Sequence, residues 1–191
     1  MKSHHKKEKR RSSLLLVVFI VILMIGSTIG FVFSGLQNDN SQSSDITYDG
    51  YAFIQTESGW TFLYNNKVIY VDYLPDEVKD IPLENFPLGN SKVYLAFKPS
   101  EKNNNIDYSL RKVYSVLRGN GFNAFLACND EIDCPDIPVV DCEDSLFPII
   151  LFEKSDLLKT SINGKCLVLE GDAIGLSKAS DRFIYSVLGV I

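Results

Sequence analysis

Histidine is nearly absent from this chain of 191 residues, and its absence excludes several kinds of catalytic site. The sequence contains His4 and His5 and no histidine after them. Histidine is the commonest general base and metal ligand near neutral pH. The rest of the chain therefore lacks Ser-His-Asp and Cys-His catalytic arrangements and histidine-ligated zinc. Carboxylate or lysine chemistry is still available, but no spacing in the sequence indicates a catalytic, cofactor or metal site.

Closely spaced cysteine pairs are lacking as well. Zinc ribbons use short C-x2–4-C pairs and thioredoxin-type redox sites use C-x-x-C, and neither motif occurs. The four cysteines are Cys128, Cys134, Cys142 and Cys166. For an extracytoplasmic region, an even number of cysteines favours two structural disulfides over a metal or redox role.

Positive charge is missing between residues 12 and 66. The first 13 residues carry six of the 19 Lys and Arg residues and only one of the 24 Asp and Glu residues. Residues 14–36 contain no charge and no proline, and a helix of this length, roughly 35 Å, crosses a hydrocarbon core of about 30 Å. Because positive charge stays cytoplasmic, the pattern predicts a single-pass cell-membrane protein with a cytoplasmic N-terminus and residues 37–191 extracytoplasmic.

A cleaved signal peptide is the alternative interpretation of residues 14–36, since it also has a basic start and an apolar run. Such runs are about 7–15 residues long and end in a small-x-small cleavage site. The run here is longer, and its best small pair, Thr28 and Gly30, is followed by two phenylalanines and a valine. We therefore predict an uncleaved signal-anchor in the lipid bilayer.

Small residues recur at four-residue intervals in this segment, at Gly26, Gly30 and Ser34. Such a seam lets two membrane helices approach closely, which makes a helix-mediated homodimer a hypothesis. Ordinary use of glycine in a membrane helix is the alternative explanation of the same residues.

Negative charge dominates the extracytoplasmic part. Residues 37–191 hold 13 basic and 23 acidic side chains, a net charge of −10. An acidic surface repels nucleic acid and anionic lipid, so we expect neither as a partner of this part. We expect instead a protein partner outside the cell.

The chain divides into four predicted regions. They are a basic cytoplasmic tail at 1–13, the transmembrane signal-anchor at 14–36, a polar flexible spacer at 37–50 and a disulfide-stapled α/β domain at 51–191. The spacer is assigned from its content of Ser, Asn and Asp, which is typical of flexible linkers.

The domain is predicted to begin with an antiparallel meander. Its strands are at 51–56, 60–64 and 67–73, and Asn65-Asn66 forms a two-residue turn. Prolines break the following segment into a loop with one helical turn at 76–80.

A βαβ unit follows, with strands at 92–97 and 122–128. Asn105 is predicted to cap the helix between them, which begins at Ile106. Apolar residues recur at helical period along one face of this helix, at Ile106, Leu110, Val113 and Leu117. Parallel pairing of the two strands is expected.

The last block is predicted to be a second meander and a closing helix. Its strands are at 147–152, 157–162 and 165–169, with a tight turn at Asn163-Gly164. Asp172 caps the helix. The inward side of that helix is predicted to consist of Leu176, Ser180, Phe183, Ile184, Val187 and Leu188.

These elements predict an α/β (α+β) domain with one mixed sheet and two packed helices. The C-terminal half resembles a thioredoxin-like core without its middle helix in the order of its elements. Because C-x-x-C is missing, this resemblance implies a fold and no activity.

An acidic loop at 129–145 separates the βαβ unit from the last block. Clustered carboxylates suit calcium, but no EF-hand spacing occurs, so we predict a solvated loop stapled by disulfides. Its seven carboxylates are Asp130, Glu131, Asp133, Asp136, Asp141, Glu143 and Asp144.

The positions of the cysteines predict their pairing among three alternatives. Cys134 follows Cys128 after five residues, so a short loop joins them. Folding the last block as a meander places Cys142 and Cys166 near one end of it. We predict the bridges Cys128–Cys134 and Cys142–Cys166.

The sequence supports three functional hypotheses. The first is a non-enzymatic, membrane-tethered interaction or envelope-assembly module, which fits the spacer, the disulfides and the missing catalytic motifs. One alternative is a thiol-redox protein acting through Cys128 and Cys134 or their neighbouring cysteines. The other is a carboxylate-based hydrolase on the acidic loop. Aromatic residues of the meander favour a recognition surface, although alternate residues of a strand more often belong to the core; they are Tyr48, Tyr51, Trp60, Tyr64, Tyr70 and Tyr73.

Overall fold

The structure is a computed structural model, and it describes residues 45–89 and 92–191. The predicted tail, the membrane helix at 14–36 with its small-residue seam, and the spacer up to residue 44 lie outside the described residues. Within the described residues, no helix is both long enough and apolar enough to cross a membrane. They form nine strands and three α-helices in a mixed α/β fold with two sheets.

The first sheet is an antiparallel meander of four strands in chain order. Its strands are β1 (Ile46–Tyr48), β2 (Tyr51–Thr56), β3 (Gly59–Tyr64) and β4 (Lys67–Val71). The predicted turn at residues 65–66 is present, and the φ angles of 48° and 61° are those that a tight two-residue turn requires.

Strand β1 begins at Ile46, before residue 50, where the spacer was predicted to end. Ile46 pairs with Phe53, and Tyr48 pairs with Tyr51, so the ordered meander begins inside the segment assigned to the spacer. The strand has only three residues, which is too short for an alternating pattern to stand out against polar neighbours.

Three helices follow the meander in the chain. They are α1 (Pro75–Val78), α2 (Asn104–Gly119) and α3 (Ala173–Leu188). Helix α2 begins earlier than predicted because Asn103, not Asn105, is its cap: the Asn103 side chain accepts hydrogen bonds from the backbone N–H groups of Asn105 and Ile106. Asp172 caps α3 as predicted, accepting from the N–H of Gly175.

The second sheet has five strands in the order β6-β5-β7-β9-β8. They are β5 (Lys92–Phe97), β6 (Asn123–Cys128), β7 (Ile149–Lys154), β8 (Lys159–Asn163) and β9 (Cys166–Gly171). Strands β5 and β6 are parallel and α2 connects them, so the predicted βαβ unit is confirmed. Strand β7 runs parallel to β5 on its other side.

The prediction of a single sheet and of a second meander is wrong. Strand β9 lies between β7 and β8, parallel to the first and antiparallel to the second. Burial explains this arrangement. The first four residues of β7 are apolar and all buried, which is typical of a central strand in a parallel sheet, whereas β8 is polar and lies at the edge.

Helices α2 and α3 pack between the two sheets. The ring of Tyr185 on α3 lies 6.1 Å from the ring of Phe53 and 5.9 Å from the ring of Phe62, both on the inner face of the meander. Leu95 and Phe152 of the five-stranded sheet belong to the same hydrophobic core. The core therefore joins the meander, the helices and one face of the second sheet.

The other face of the second sheet is covered by the loop between β6 and β7, which two disulfides fasten. Cys128 is joined to Cys134, and Cys142 is joined to Cys166 at the start of β9, with Cα–Cα distances of 6.0 and 5.1 Å. These are the pairs that the sequence predicts. The meander from which the second pair was predicted is wrong, because Cys166 lies directly beside Ile149 of β7 in a parallel pairing.

Candidate functional site

A cluster of charged and hydroxyl side chains lies where the meander meets the two long helices. Asp72 directly follows β4, Tyr108 and Lys112 belong to α2, and Ser177 and Asp181 belong to α3. We call these five residues the Lys112 cluster. The sequence predicted none of them as site residues.

The ammonium group of Lys112 is at the centre of this cluster. Its Nζ lies 2.6 Å from Asp72 Oδ2, 2.7 Å from Asp181 Oδ1 and 2.9 Å from Ser177 Oγ. The Ser177 hydroxyl in turn donates to Asp72, and the Tyr108 hydroxyl donates to Asp72 Oδ1 at 2.6 Å. The side chain of Lys112 is 6% exposed and that of Asp181 is fully buried, so the ion pair between these two residues is shielded from water.

Asp181 also binds the backbone at the end of β4. Its Oδ2 accepts hydrogen bonds from the N–H groups of Asp72 and Tyr73 at 2.9 and 3.0 Å. The Tyr185 hydroxyl, one helical turn further along α3, donates to the carbonyl of Tyr73 at 2.7 Å. Helix α3 thereby holds the last residues of the meander by side-chain hydrogen bonds to its backbone.

The pKa values of the two carboxylates in the cluster are shifted in opposite directions. Burial raises the pKa of Asp181 to about 6, although the charge of Lys112 partly opposes this. Burial also acts to raise the pKa of Asp72, but hydrogen bonds from Lys112, Ser177 and Tyr108 outweigh it and lower the pKa below its usual value. Asp72 is therefore the carboxylate that stays ionised when the pH falls.

The geometry of the Lys112 cluster favours a structural role over a catalytic one. A serine activated by lysine needs an amine with a free lone pair to accept the hydroxyl proton. Here three acceptors surround the ammonium of Lys112, and the hydroxyl of Ser177 donates to Asp72. A charged network of this kind joins three elements, here the end of β4, α2 and α3.

The raised pKa of Asp181 predicts a stability that falls as the pH rises from about 4 to 6. In this window the folded protein keeps a proton that the unfolded chain, with an ordinary value of 3.8, has already lost. Asp72 acts in the opposite sense, and its contribution is lost below about pH 4, as the pH falls through its lowered folded pKa. Urea unfolding of the wild type and of Asp181→Asn between about pH 4 and 7 tests this. The variant should lose the decrease between pH 4 and 6, and an unchanged profile would contradict the assignment.

A groove lies next to the Lys112 cluster, between β4 and α2. Its volume is about 380 Å³, within the range of about 300–1,000 Å³ that is usual for binding clefts. Strand β4 contributes Lys67, Val68 and Tyr70, and α2 contributes Tyr108, Arg111 and Ser115. We call it the β4–α2 groove.

The outer face of the meander is apolar and exposed. Leu63 and Val68 are direct cross-strand partners, and each is 58% exposed. Ile54 and Tyr70 lie in the neighbouring row, on either side of Thr61, and are also exposed. Four large exposed apolar side chains on adjacent strands form a patch of the kind that marks interaction sites.

The aromatic residues expected to form a recognition surface are mostly part of the core. Tyr48, Tyr51, Trp60, Tyr64 and Tyr73 are partly buried and pack against it. Tyr70 alone among the six is highly exposed. The large exposed side chains on the outer face of the meander are therefore aliphatic, apart from Tyr70.

The other candidate residues named from the sequence do not come together as a reactive site. All seven carboxylates of the acidic loop are exposed. Among the described residues, no group of three His, Cys, Asp or Glu side chains could hold a metal ion, and no cysteine is free. Asp130 and Asp141 instead accept hydrogen bonds from backbone N–H groups two or three residues further on, which stabilises local turns.

A signal for the Lys112 cluster was present in the sequence. Ser177, Asp181 and Tyr185 follow one another at four-residue intervals on α3, so they lie along one line of the helix. A carboxylate in the interior of a largely apolar helix indicates a buried partner of opposite charge. Lys112, beside the apolar face of α2, is that partner.

No protein-family model, no curated protein and no solved structure matches this chain.

Proposed function

We propose that the chain is a membrane-tethered, extracytoplasmic protein-binding module without enzymatic activity of its own. Residues 14–36 anchor it in the cell membrane, and the α/β domain meets a protein partner outside the cell. The observation that carries the proposal is the apolar outer face of the meander formed by Ile54, Leu63, Val68 and Tyr70. Helix-mediated association through Gly26, Gly30 and Ser34 stays a separate prediction.

The rigidity of the meander supports this proposal. Its inner face is part of the hydrophobic core through Phe53 and Phe62, and its end is held by Asp181 and Tyr185. A rigid surface loses little conformational entropy on binding, which favours recognition. The apolar residues are thus presented on a fixed framework.

The alternative hypotheses have less support. A thiol-redox role needs a cysteine pair that can exchange, but Cys128 and Cys166 are fully buried and all four cysteines are bonded. A carboxylate-based hydrolase on the acidic loop needs two enclosed carboxylates, and all seven carboxylates of that loop are exposed.

Site-specific photocrosslinking in intact cells tests the proposal. A photoreactive phenylalanine analogue at Ile54 should give one discrete protein adduct, because this position lies within the apolar face. The adduct should be lost when Leu63→Glu is added, because a charge opposite Val68 disrupts the patch. Protease added to intact cells should degrade the adduct, since we place it outside.

The matched control is the same analogue at Leu157, which is 76% exposed in the loop between β7 and β8. This position should give no adduct. An equal adduct at both positions, or one that persists with Leu63→Glu, would show that the meander face is not the binding surface. An adduct protected from protease would overturn the extracytoplasmic location.

A further inference from the structure

Strand β4 has an open edge with unpaired backbone groups. The two-residue turn at 65–66 makes Tyr64 and Lys67 a hydrogen-bonded pair, and bonded and non-bonded pairs then alternate along the strand. The N–H and C=O groups of Val68 and Tyr70 therefore point away from β3. Among residues 45–89 and 92–191, no group hydrogen-bonds to them.

The next outward-facing position on this edge is already occupied. The N–H of Asp72 donates to Asp181 Oδ2 at 2.9 Å. A side-chain oxygen thus stands where the carbonyl oxygen of a neighbouring strand would be. This contact supports the alternation assigned to β4 and shows that the open part of the edge ends at Tyr70.

The β4–α2 groove lies along this open edge and carries positive charge. Lys67 and Arg111 line it, and neither forms an ion pair with a described residue. The third cation of the groove, Lys112, is neutralised by Asp72 and Asp181. The described residues that line the groove include no acidic side chain. Its local charge is therefore opposite to the charge of the domain as a whole.

We propose that the β4–α2 groove binds an extended acidic peptide, which adds to the meander as a further strand beside β4. This rests on the proposed function as a protein-binding module and names the chemistry of the partner. Main-chain hydrogen bonds to Val68 and Tyr70 provide affinity, and alternate side chains provide specificity. Side chains on one face of the added strand continue the apolar outer face, while those on the other face meet Arg111 on α2. The peptide therefore alternates apolar and acidic residues.

A second copy of the chain fits this edge less well. Pairing two β4 strands would bring Lys67 and Arg111 of both copies into one shared groove. Like charges at such short distances are unfavourable. The opposite edge of the meander, at β1, offers a strand of only three residues.

Fluorescence anisotropy with the full-length chain in detergent micelles tests the proposal. The probe is a fluorescent Val-Glu-Val-Glu-Val-Glu peptide, and a Val-Lys-Val-Lys-Val-Lys peptide is the control. The acidic peptide should bind, and its affinity should decrease as the salt concentration rises. Equal binding of both peptides, or no binding of the acidic one, overturns the proposal.

Matched variants test the mode of binding. Val68→Pro removes an outward-pointing N–H from β4 and should weaken binding about tenfold. Thr47→Pro is the control on β1. The two-residue turn makes Tyr48 and Tyr51 a hydrogen-bonded pair, so the N–H of the preceding residue, Thr47, points away from β2. Its loss should leave binding unchanged. Equal effects of the two variants overturn strand addition.

A second pair of variants decides the outcome if Val68→Pro does not fold, as circular dichroism would show. Arg111→Glu should abolish binding of the acidic peptide, whereas Arg118→Glu, exposed on the same helix outside the groove, should not. If Arg111→Glu binds like the wild type, the proposal is overturned. If the peptide does not bind but the Ile54 crosslink still forms, strand addition is refuted and the protein-binding function is not. If the Ile54 crosslink does not form, the protein-binding function is refuted.

Discussion

Replacing Lys112 with methionine should lower the free energy of unfolding by about 3–5 kcal/mol. The substitution keeps the length and apolar stem of the side chain but removes the cation that pairs with two carboxylates. Asp181, fully buried, would then have no ion-pair partner, and Asp72 would lose one of its hydrogen bonds. A total stability of about 5–15 kcal/mol is usual for a domain, so the effect should be visible as a large shift in a urea unfolding curve.

Lys98→Met is the matched control for this experiment. Lys98 also forms an ion pair at 2.7 Å, with Glu153, but both side chains are partly exposed. The loss should therefore be below about 1 kcal/mol. Adding Asp181→Asn to Lys112→Met removes the unpaired buried charge and should recover part of the stability. Equal losses of unfolding free energy in the two lysine variants would mean that the buried ion pairs of Lys112 contribute no more than the exposed pair of Lys98.

Removing the bridge between Cys142 and Cys166 should cost about 3 kcal/mol of unfolding free energy. The two cysteines are 24 positions apart, so the bridge strongly restricts the unfolded chain. Replacing both with alanine avoids placing hydroxyl groups in the buried site of Cys166. Thermal unfolding under non-reducing conditions, compared with the wild type, measures the loss.

The bridge between Cys128 and Cys134 provides the comparison. Its cysteines are only six positions apart, so the double alanine variant should lose less, about 2 kcal/mol. A larger loss for the short bridge than for the long one would contradict an effect that acts on the unfolded chain. Such a result would point to loop contacts in the folded state instead.

The local elements of the domain were largely predictable because short-range patterns determine them. Positive φ angles at Asn65 and Asn66 follow from the tolerance of asparagine for that conformation. The apolar positions of α2 follow helical period, and Asp172 precedes α3 as an N-cap should. Each of these signals lies within a few residues of the structure it predicts.

The arrangement of the strands was not predictable in the same way. The segment at 154–158 resembles a hairpin turn, yet β8 passes to the edge and β9 takes the place beside β7. What decides between the two is the burial of β7 on both faces, and that depends on strands far away in the chain. The Lys112 cluster was not predicted for the same reason, because its members Asp72 and Asp181 are 109 positions apart in the sequence.

The hydrogen bonds from Asp72 and Tyr73 to Asp181 have a consequence for biosynthesis. Ribosomes make the meander before α3, so these bonds form only after synthesis has passed residue 181. Until then, Phe53 and Phe62 lack the Tyr185 ring that covers them. A nascent chain halted before residue 181 therefore exposes an apolar sheet to proteases and chaperones. Completion of the last helix is the step that protects the first strands.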